Sequence, residues 1–351
     1  VLAKGEVTLQ RKRITSKDVA EKVGVSRTTV SLVLNNVRGI QISSETRQKV
    51  MEAAKELGYV PDATAQALAS RRTKAIGLVL TRSQHHIATD AFLPKIISGL
   101  LTTAKKQNVR ILVDWVETEH QESAYFELAH TKRIDGMILS TPRLDDRALK
   151  ALESVDVPTV LMGNVVDLNL PFVDVDNVKA AEKATAYLVE LGHRNIACIS
   201  SAPLEYTATP ERVGGYRNAL TKAGLPVNEN LIRYADFDPE SGYRCMKSLL
   251  QGGERFTAAF IASDNVAIGA KFALREANLR IPDDVSLVGF DDIPWAQYSD
   301  PPLTTIKLPA ESIAASACTL LLDLIHNDVG NIHQQIILDT ELVVRKSCRA
   351  V

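Results

Sequence analysis

At 351 residues, with 45% hydrophobic content and a formal net charge of −1, the chain is long enough to bury a large core and to form two or three domains. No apolar run approaches the roughly 20 residues needed to cross a bilayer, and Cys198, Cys245, Cys318 and Cys348 lack CxxC pairing, so they read as reduced structural thiols. The near-neutral total hides a division: residues 1–73 hold 13 Lys and Arg against 7 Asp and Glu, while the remainder holds 28 against 35. A basic module on an acidic body suits a polyanionic partner, because each neutralised phosphate releases counterions. A solvated charged face is the plainer explanation, but it does not account for clustering beside the motif described next.

Residues 1–13 read as a flexible basic arm. They lead into helical patterns and not into a signal core, so the expected location is cytoplasmic, with no membrane partner. Thr15 followed by Asp18 is a capping pair, Val19, Ala20 and Val23 give the helix an apolar stripe, and Gly24 ends it in a tight turn. Ser26 caps a second helix whose Val30, Val33 and Leu34 pack on the first, leaving Arg27, Thr28, Ser31 and Leu32 outward. A helix so presented fits the major groove; an ordinary amphipathic pair is the rival reading. Ser43 caps a third helix carrying Val50, Ala53, Ala54 and Leu57, closed by Gly58. Residues 14–61 thus make a small all-α helix-turn-helix domain. Residues 62–73 follow as a short helix with only Ala65, Leu68 and Ala69 as an apolar edge, too short to be stable unless something holds it.

From residue 74 short apolar runs alternate with helical patterns. Runs at 75–80, 109–113, 136–140 and 159–162 suggest one buried parallel sheet, and runs at 196–200, 258–262 and 285–290 a second. Two doubly wound α/β lobes bind ligands outside the carboxyl ends of their strands, so a cleft forms where they face one another. Ser263 and Asp264 directly follow AAFIA, and Asp291 and Asp292 follow VSLVGF, which places them at such strand ends. Carboxylates there can accept hydrogen bonds from hydroxyls or ring nitrogens; equally, Asp264 can cap a helix and Asp292 start a turn.

The phrases DVAEKVGVSRTTVSLVLN, TRQKVMEAAKELGYVPDATAQALAS, ELGHRNIACIS, RVGGYRNAL, SDNVAIGA and DDVSLVGFDDIPWAQYSDPPLTTIKLP resemble the lactose/galactose repressor (LacI/GalR) family of transcription regulators, from about residue 14 to the end. The resemblance implies a periplasmic-binding-protein-like effector domain over 74–351, with one lobe at about 74–176 and 306–332 and the other at about 177–305 and 333–351. It implies that Arg27, Thr28 and Leu32 face bases, that Ser26, Thr29 and Ser31 hold phosphates, and that Thr15 and Asn35 complete the DNA-facing set. Leu68 is implied as a minor-groove wedge, against the alternative of a leucine packed on its own domain.

For the effector, the resemblance implies a clamp of Asp291 and Arg212, with Phe237 and Phe260 stacking on the ligand; core packing competes for Phe260, and a surface helix position for Arg212. DAFLPKIISGL departs from the family's commoner NPFF pattern and puts Asp90 and Phe92 at the cleft wall, where an acid favours a hydroxyl-rich ligand such as a sugar. The expected protein is a homodimer on a palindromic operator, controlled by that effector; the same family also holds the opposite sign, with a purine-type corepressor. A transport receptor on the same lobes should have a secretory signal and no DNA-binding module. No P-loop, G-x-G-x-x-G or G-x-S-x-G supports an enzyme, no cofactor is expected, and His85-His86 has no third ligand at metal-site spacing.

Overall fold

The computed structural model describes residues 14–35, 41–62, 66–67, 70, 72–116, 121–154, 157–327 and 334–351. The chain divides into two compact units, Val1–Thr73 and Lys74–Val351.

The first unit holds helices α1 (Ser16–Val23), α2 (Arg27–Leu34) and α3 (Ser44–Leu57). α1 starts where the Asp18 carboxylate accepts from the Thr15 backbone N–H at 2.7 Å and from its hydroxyl at 2.6 Å, which satisfies groups that a helix start leaves open. It stops at Gly24, whose φ of 73° suits a residue without a side chain. The Ser26 hydroxyl accepts from the Thr29 N–H at 3.0 Å to start α2, and Ser43 does the same for Thr46 in α3. Val19, Ala20, Val30, Val33, Val50, Ala53 and Ala54 are buried together, with Leu34, Leu57 and Tyr59 around them. Of the 62–73 segment, Leu68 lies outside the described residues.

The second unit contains two six-stranded sheets. In the first the order is β11 (Gln335–Leu338), β5 (Phe172–Val175), β4 (Thr159–Met162), β3 (Met137–Ser140), β1 (Ala75–Leu80) and β2 (Arg110–Trp115). In the second it is β12 (Glu341–Val343), β10 (Thr304–Lys307), β9 (Ser286–Asp291), β8 (Ala258–Ile261), β6 (Ile196–Ile199) and β7 (Ile232–Arg233). Among the described residues every strand pairing is parallel except β10 with β12. Helices cover the buried faces, as parallel sheets require.

The lobe boundaries differ from the expected ones at two places. β10 runs to Lys307 beside β9, so the second crossing falls after residue 307 and not at 305. β11 pairs in parallel with β5 from Gln335↔Phe172 to Leu338↔Val175, so the chain returns to the second lobe between Leu338 and Glu341 and not at 332. β5, β7, β10, β11 and β12 are absent from the apolar runs of the sequence. Each is two to four residues long, and most carry polar residues, so no hydrophobic run marks them.

Close helix packing fixes the floor of the second lobe. A side chain on Gly269 would meet the Pro239 carbonyl at 1.6 Å, and one on Gly242 the Val266 carbonyl at 2.0 Å. The helices Pro239–Gln251 and Asp264–Glu276 therefore touch backbone to backbone, which holds the start of the latter still. No helix among the described residues is long and apolar enough to cross a membrane.

Candidate functional site

Two surfaces carry candidate chemistry. On α2, Arg27, Thr28 and Ser31 are exposed, Thr29 and Leu32 are half-buried, and Asn35 is exposed at the helix end. The buried Val30 and Val33 fix this facing, because side chains three and four residues apart share a helix face. Ser26 is exposed but its hydroxyl caps the helix and lies 2.9 Å from the Thr29 hydroxyl. The Asn35 amide donates to the Ser31 hydroxyl at 3.2 Å and accepts from Gln66 at 2.8 Å. Thr15 is exposed, with its hydroxyl committed to Asp18.

The second surface is a cavity of about 160 Å³ inside the unit Lys74–Val351. Both sheets present their carboxyl ends to it. Arg82 comes from beyond β1, Thr141 from beyond β3, Asp174 from β5, Ser201 from beyond β6, Ser263 from beyond β8 and Asp291 from the end of β9. This is the place where open α/β sheets take ligands.

Arg212 and Asp291 form its charged centre. The Arg212 Nε donates to the Asn177 side-chain oxygen at 2.9 Å and one terminal nitrogen donates to the Ala262 carbonyl at 2.7 Å. The same nitrogen lies 3.8 Å from the Asp291 carboxylate, and the guanidinium carbon sits 3.8 Å over the Phe290 ring. Each contact is buried, so the fork is held in one orientation before any ligand arrives. Burial raises the Asp291 carboxyl above its usual range, while Arg212 and the Ser263 hydroxyl pull it back. Its φ of 112° is strained backbone, a cost of about 1–3 kcal/mol that persists where surrounding contacts impose it. Those contacts include Arg345 to the Asp292 carboxylate at 2.6 Å and Lys95, from the first lobe, to the Asp292 carbonyl at 2.5 Å.

Asn177 links this pair to two further acids. Its amide donates to Glu211 at 3.1 Å and lies 3.4 Å from both Asp174 oxygens. Burial pushes Asp174 up to about 6 and Glu211 up to about 7, the latter also raised by Asp174.

Phe237 lines the cavity with φ of 63° and meets Tyr206 edge-on at 4.7 Å. Phe92 and Asp90 line it from the first lobe. Asp90 is already engaged: one oxygen accepts from Arg82 at 2.5 Å, the other from the backbone N–H of Phe92 at 2.7 Å and of Leu93 at 3.2 Å. His85 and His86 bridge to Asp238 at 3.1 Å and Asp236 at 3.4 Å in the second lobe.

Two expected ligand contacts stand behind the wall instead. Phe260 is fully buried and packs on Phe290 at 6.3 Å, because its side chain points into the sheet's covered face. Asp264 is buried under the strand ends, accepting from the Thr305 hydroxyl at 2.7 Å and the Ile293 N–H at 3.0 Å. A side chain on Gly289 would come within 2.1 Å of its carboxylate. Asp264 therefore ties the β9 turn that carries Asp291 and does not line the cavity. Arg82, Asn177, Asp174 and Tyr206 are lining residues that motif reading passed over; Arg82 has the same signal as Asp291, a polar residue just past an apolar run.

Residues 15–62 match the lacI family of bacterial regulatory proteins, and residues 185–348 match the periplasmic binding protein-like domain. The chain is 36% identical to the HTH-type transcriptional repressor CytR of Escherichia coli over 97% of its length and 98% of that protein. A lac repressor dimer bound to operator and the anti-inducer ONPF superposes with a TM-score of 0.84 at 30% identity, covering 97% of this chain and all of that one. A complex of the transcriptional regulator CelR with cellobiose gives 0.74 at 33% identity, covering 95% and 100%.

Proposed function

The chain belongs to the LacI family of DNA-binding transcriptional repressors, and from that premise we propose that it binds a palindromic operator as a homodimer and is controlled by a sugar-like effector in the interlobe cavity. It is a regulator and not an enzyme.

The observation that carries this reading is the union, in one chain, of an outward α2 face of Arg27, Thr28 and Ser31 with a preorganised Arg212–Asp291 clamp at the strand ends. Arg27 presents two parallel donors that suit the O6 and N7 acceptors of guanine. Leu32 offers only apolar contact, which suits a thymine methyl. One such helix reads too few base pairs for specificity, and twofold proteins match twofold sites. The dimeric lac repressor seated on its operator supports that arrangement. The clamp is built for hydroxyls: a planar donor fork beside an acceptor carboxylate matches a vicinal diol, and cellobiose in the related CelR is a ligand of that kind. An effector that prefers one relative arrangement of the lobes shifts operator affinity by its differential binding.

The test is selection of duplexes from a random palindromic library with the full chain at about 150 mM salt, followed by titration of the selected duplex with sugars and purines. Strong preference for a palindrome and a shift of its affinity by a sugar are expected. Equal binding to random duplex overturns it.

A further inference from the structure

We propose that Arg82 is a specificity-determining residue of the effector site, whose Nε donates a hydrogen bond to an uncharged, polyhydroxylated ligand. This rests on reading the interlobe cavity as the effector site.

Arg82 lies just past β1, is 8% exposed and lines the cavity. Its Nε is the one buried side-chain nitrogen or oxygen among the described residues with no hydrogen-bond partner. An orphaned buried donor is costly, and in native proteins it is rare enough to need a cause. The rest of the side chain leaves little freedom to relieve it. Nη2 is fixed on Asp90 at 2.5 Å, and the guanidinium carbon is 4.9 Å from the centre of the Phe237 ring, in the other lobe. The group is thus held from both sides with one donor unspent in a cavity wall, as expected of a position that a ligand completes.

Charge selects the ligand class. Among the described residues, Arg82 and Arg212 are the only basic ones in the wall, and each is already opposed by a carboxylate, Asp90 and Asp291. Asp174 is a further acid in the wall, and Glu211 stands behind Asn177. Among the described wall residues a phosphate ester would find no cation without a carboxylate partner. A hydroxyl or ring oxygen can take the Arg82 Nε–H as acceptor while neighbouring hydroxyls donate to Asp291. Sugars and nucleosides share this chemistry.

The experiment is calorimetry on the full chain with glucose, cellobiose, cytidine and hypoxanthine, and with glucose 6-phosphate, glucosamine and cytidine 5′-monophosphate as charged counterparts. Binding by an uncharged sugar or nucleoside, ahead of its charged counterpart, is expected; the sugar and nucleoside arms identify the source. Binding of a charged compound more tightly than its parent, of hypoxanthine alone, or of nothing, overturns the proposal. Arg82→Lys keeps the charge opposite Asp90 but loses the Nε donor, and should weaken the tightest ligand about tenfold or more, the effect of one charged hydrogen bond. One monodeoxy analogue of that ligand should lose about as much on the wild type and less than about twofold on R82K, a pattern that a structural role does not produce. Unchanged affinity in R82K overturns the proposal. If R82K does not fold, a crystal structure of the wild type with the ligand decides: an acceptor within about 3.2 Å of Nε upholds it, and none within about 3.5 Å overturns it. Loss of binding in Asp291→Asn without loss in R82K removes only the role of Arg82; a bound ligand that leaves operator affinity unchanged removes the regulatory reading instead.

Discussion

The helical unit and the cavity put their functional side chains in place by opposite means. On α1 and α2 the caps, the buried stripe and the outward residues all lie within 21 residues of one another, from Thr15 to Asn35. In the cavity Arg82, Asn177, Arg212 and Asp291 meet from four separate stretches of chain. The first surface is exposed and solvated; the second is buried and satisfied largely by its own residues. Local rules therefore specify the α2 face, whereas the cavity depends on contacts that only the completed fold supplies.

This contrast can be broken most directly at its second half. Phe260→Ala should destabilise the unit Lys74–Val351 by about 3–5 kcal/mol by opening a cavity beside Phe290, whereas Phe237→Ala should cost far less stability and reduce effector affinity. Thermal denaturation alongside calorimetry separates the two; equal stability losses would show that the cavity wall and the core are not distinct. At the reading face, Arg27→Ala should relax discrimination at a single base pair by about 1–3 kcal/mol, with effector affinity unchanged. Competition binding with a set of single-base operator variants measures this, and a uniform loss across all variants would make Arg27 a phosphate contact. Ser26→Ala removes the α2 cap and should lower stability of the helical unit by about 1 kcal/mol, read from the helical signal on melting.

The smallest effect concerns pH. Glu211 is held neutral by burial up to about 7, against an ordinary 4.5, so the neutral form's contribution to stability is full below about 4.5 and is lost as pH rises through about 7. Glu211→Gln cannot ionise. Its stability to unfolding should match the wild type near pH 4 and exceed it above pH 8, by about 1 kcal/mol after allowance for partial solvation. Parallel curves across that range would show that the carboxyl titrates normally.

The α2 face was legible because caps and stripes are local, and the Arg212–Asp291 pair because both positions fall in family motifs. Adjacency to a strand end does not say which side of the sheet a side chain takes, and Asp264 turns under the β9 end to Thr305; for Phe260 the core packing that competed with the stacking role implied by the resemblance is what the structure has. The third lobe crossing was hidden because β11 alternates exposed and half-buried residues at a sheet edge and gives no apolar run. Arg82 was open to the same strand-end argument that found Asp291.

Under the proposed function the cavity and the α2 face are thermodynamically coupled. The most direct measurement is effector affinity by calorimetry with and without saturating operator, beside operator affinity with and without saturating effector. Linkage requires both ratios to be the same factor, expected at about 5–150-fold. Two ratios equal to one would show that ligand binding in the cavity does not control operator binding.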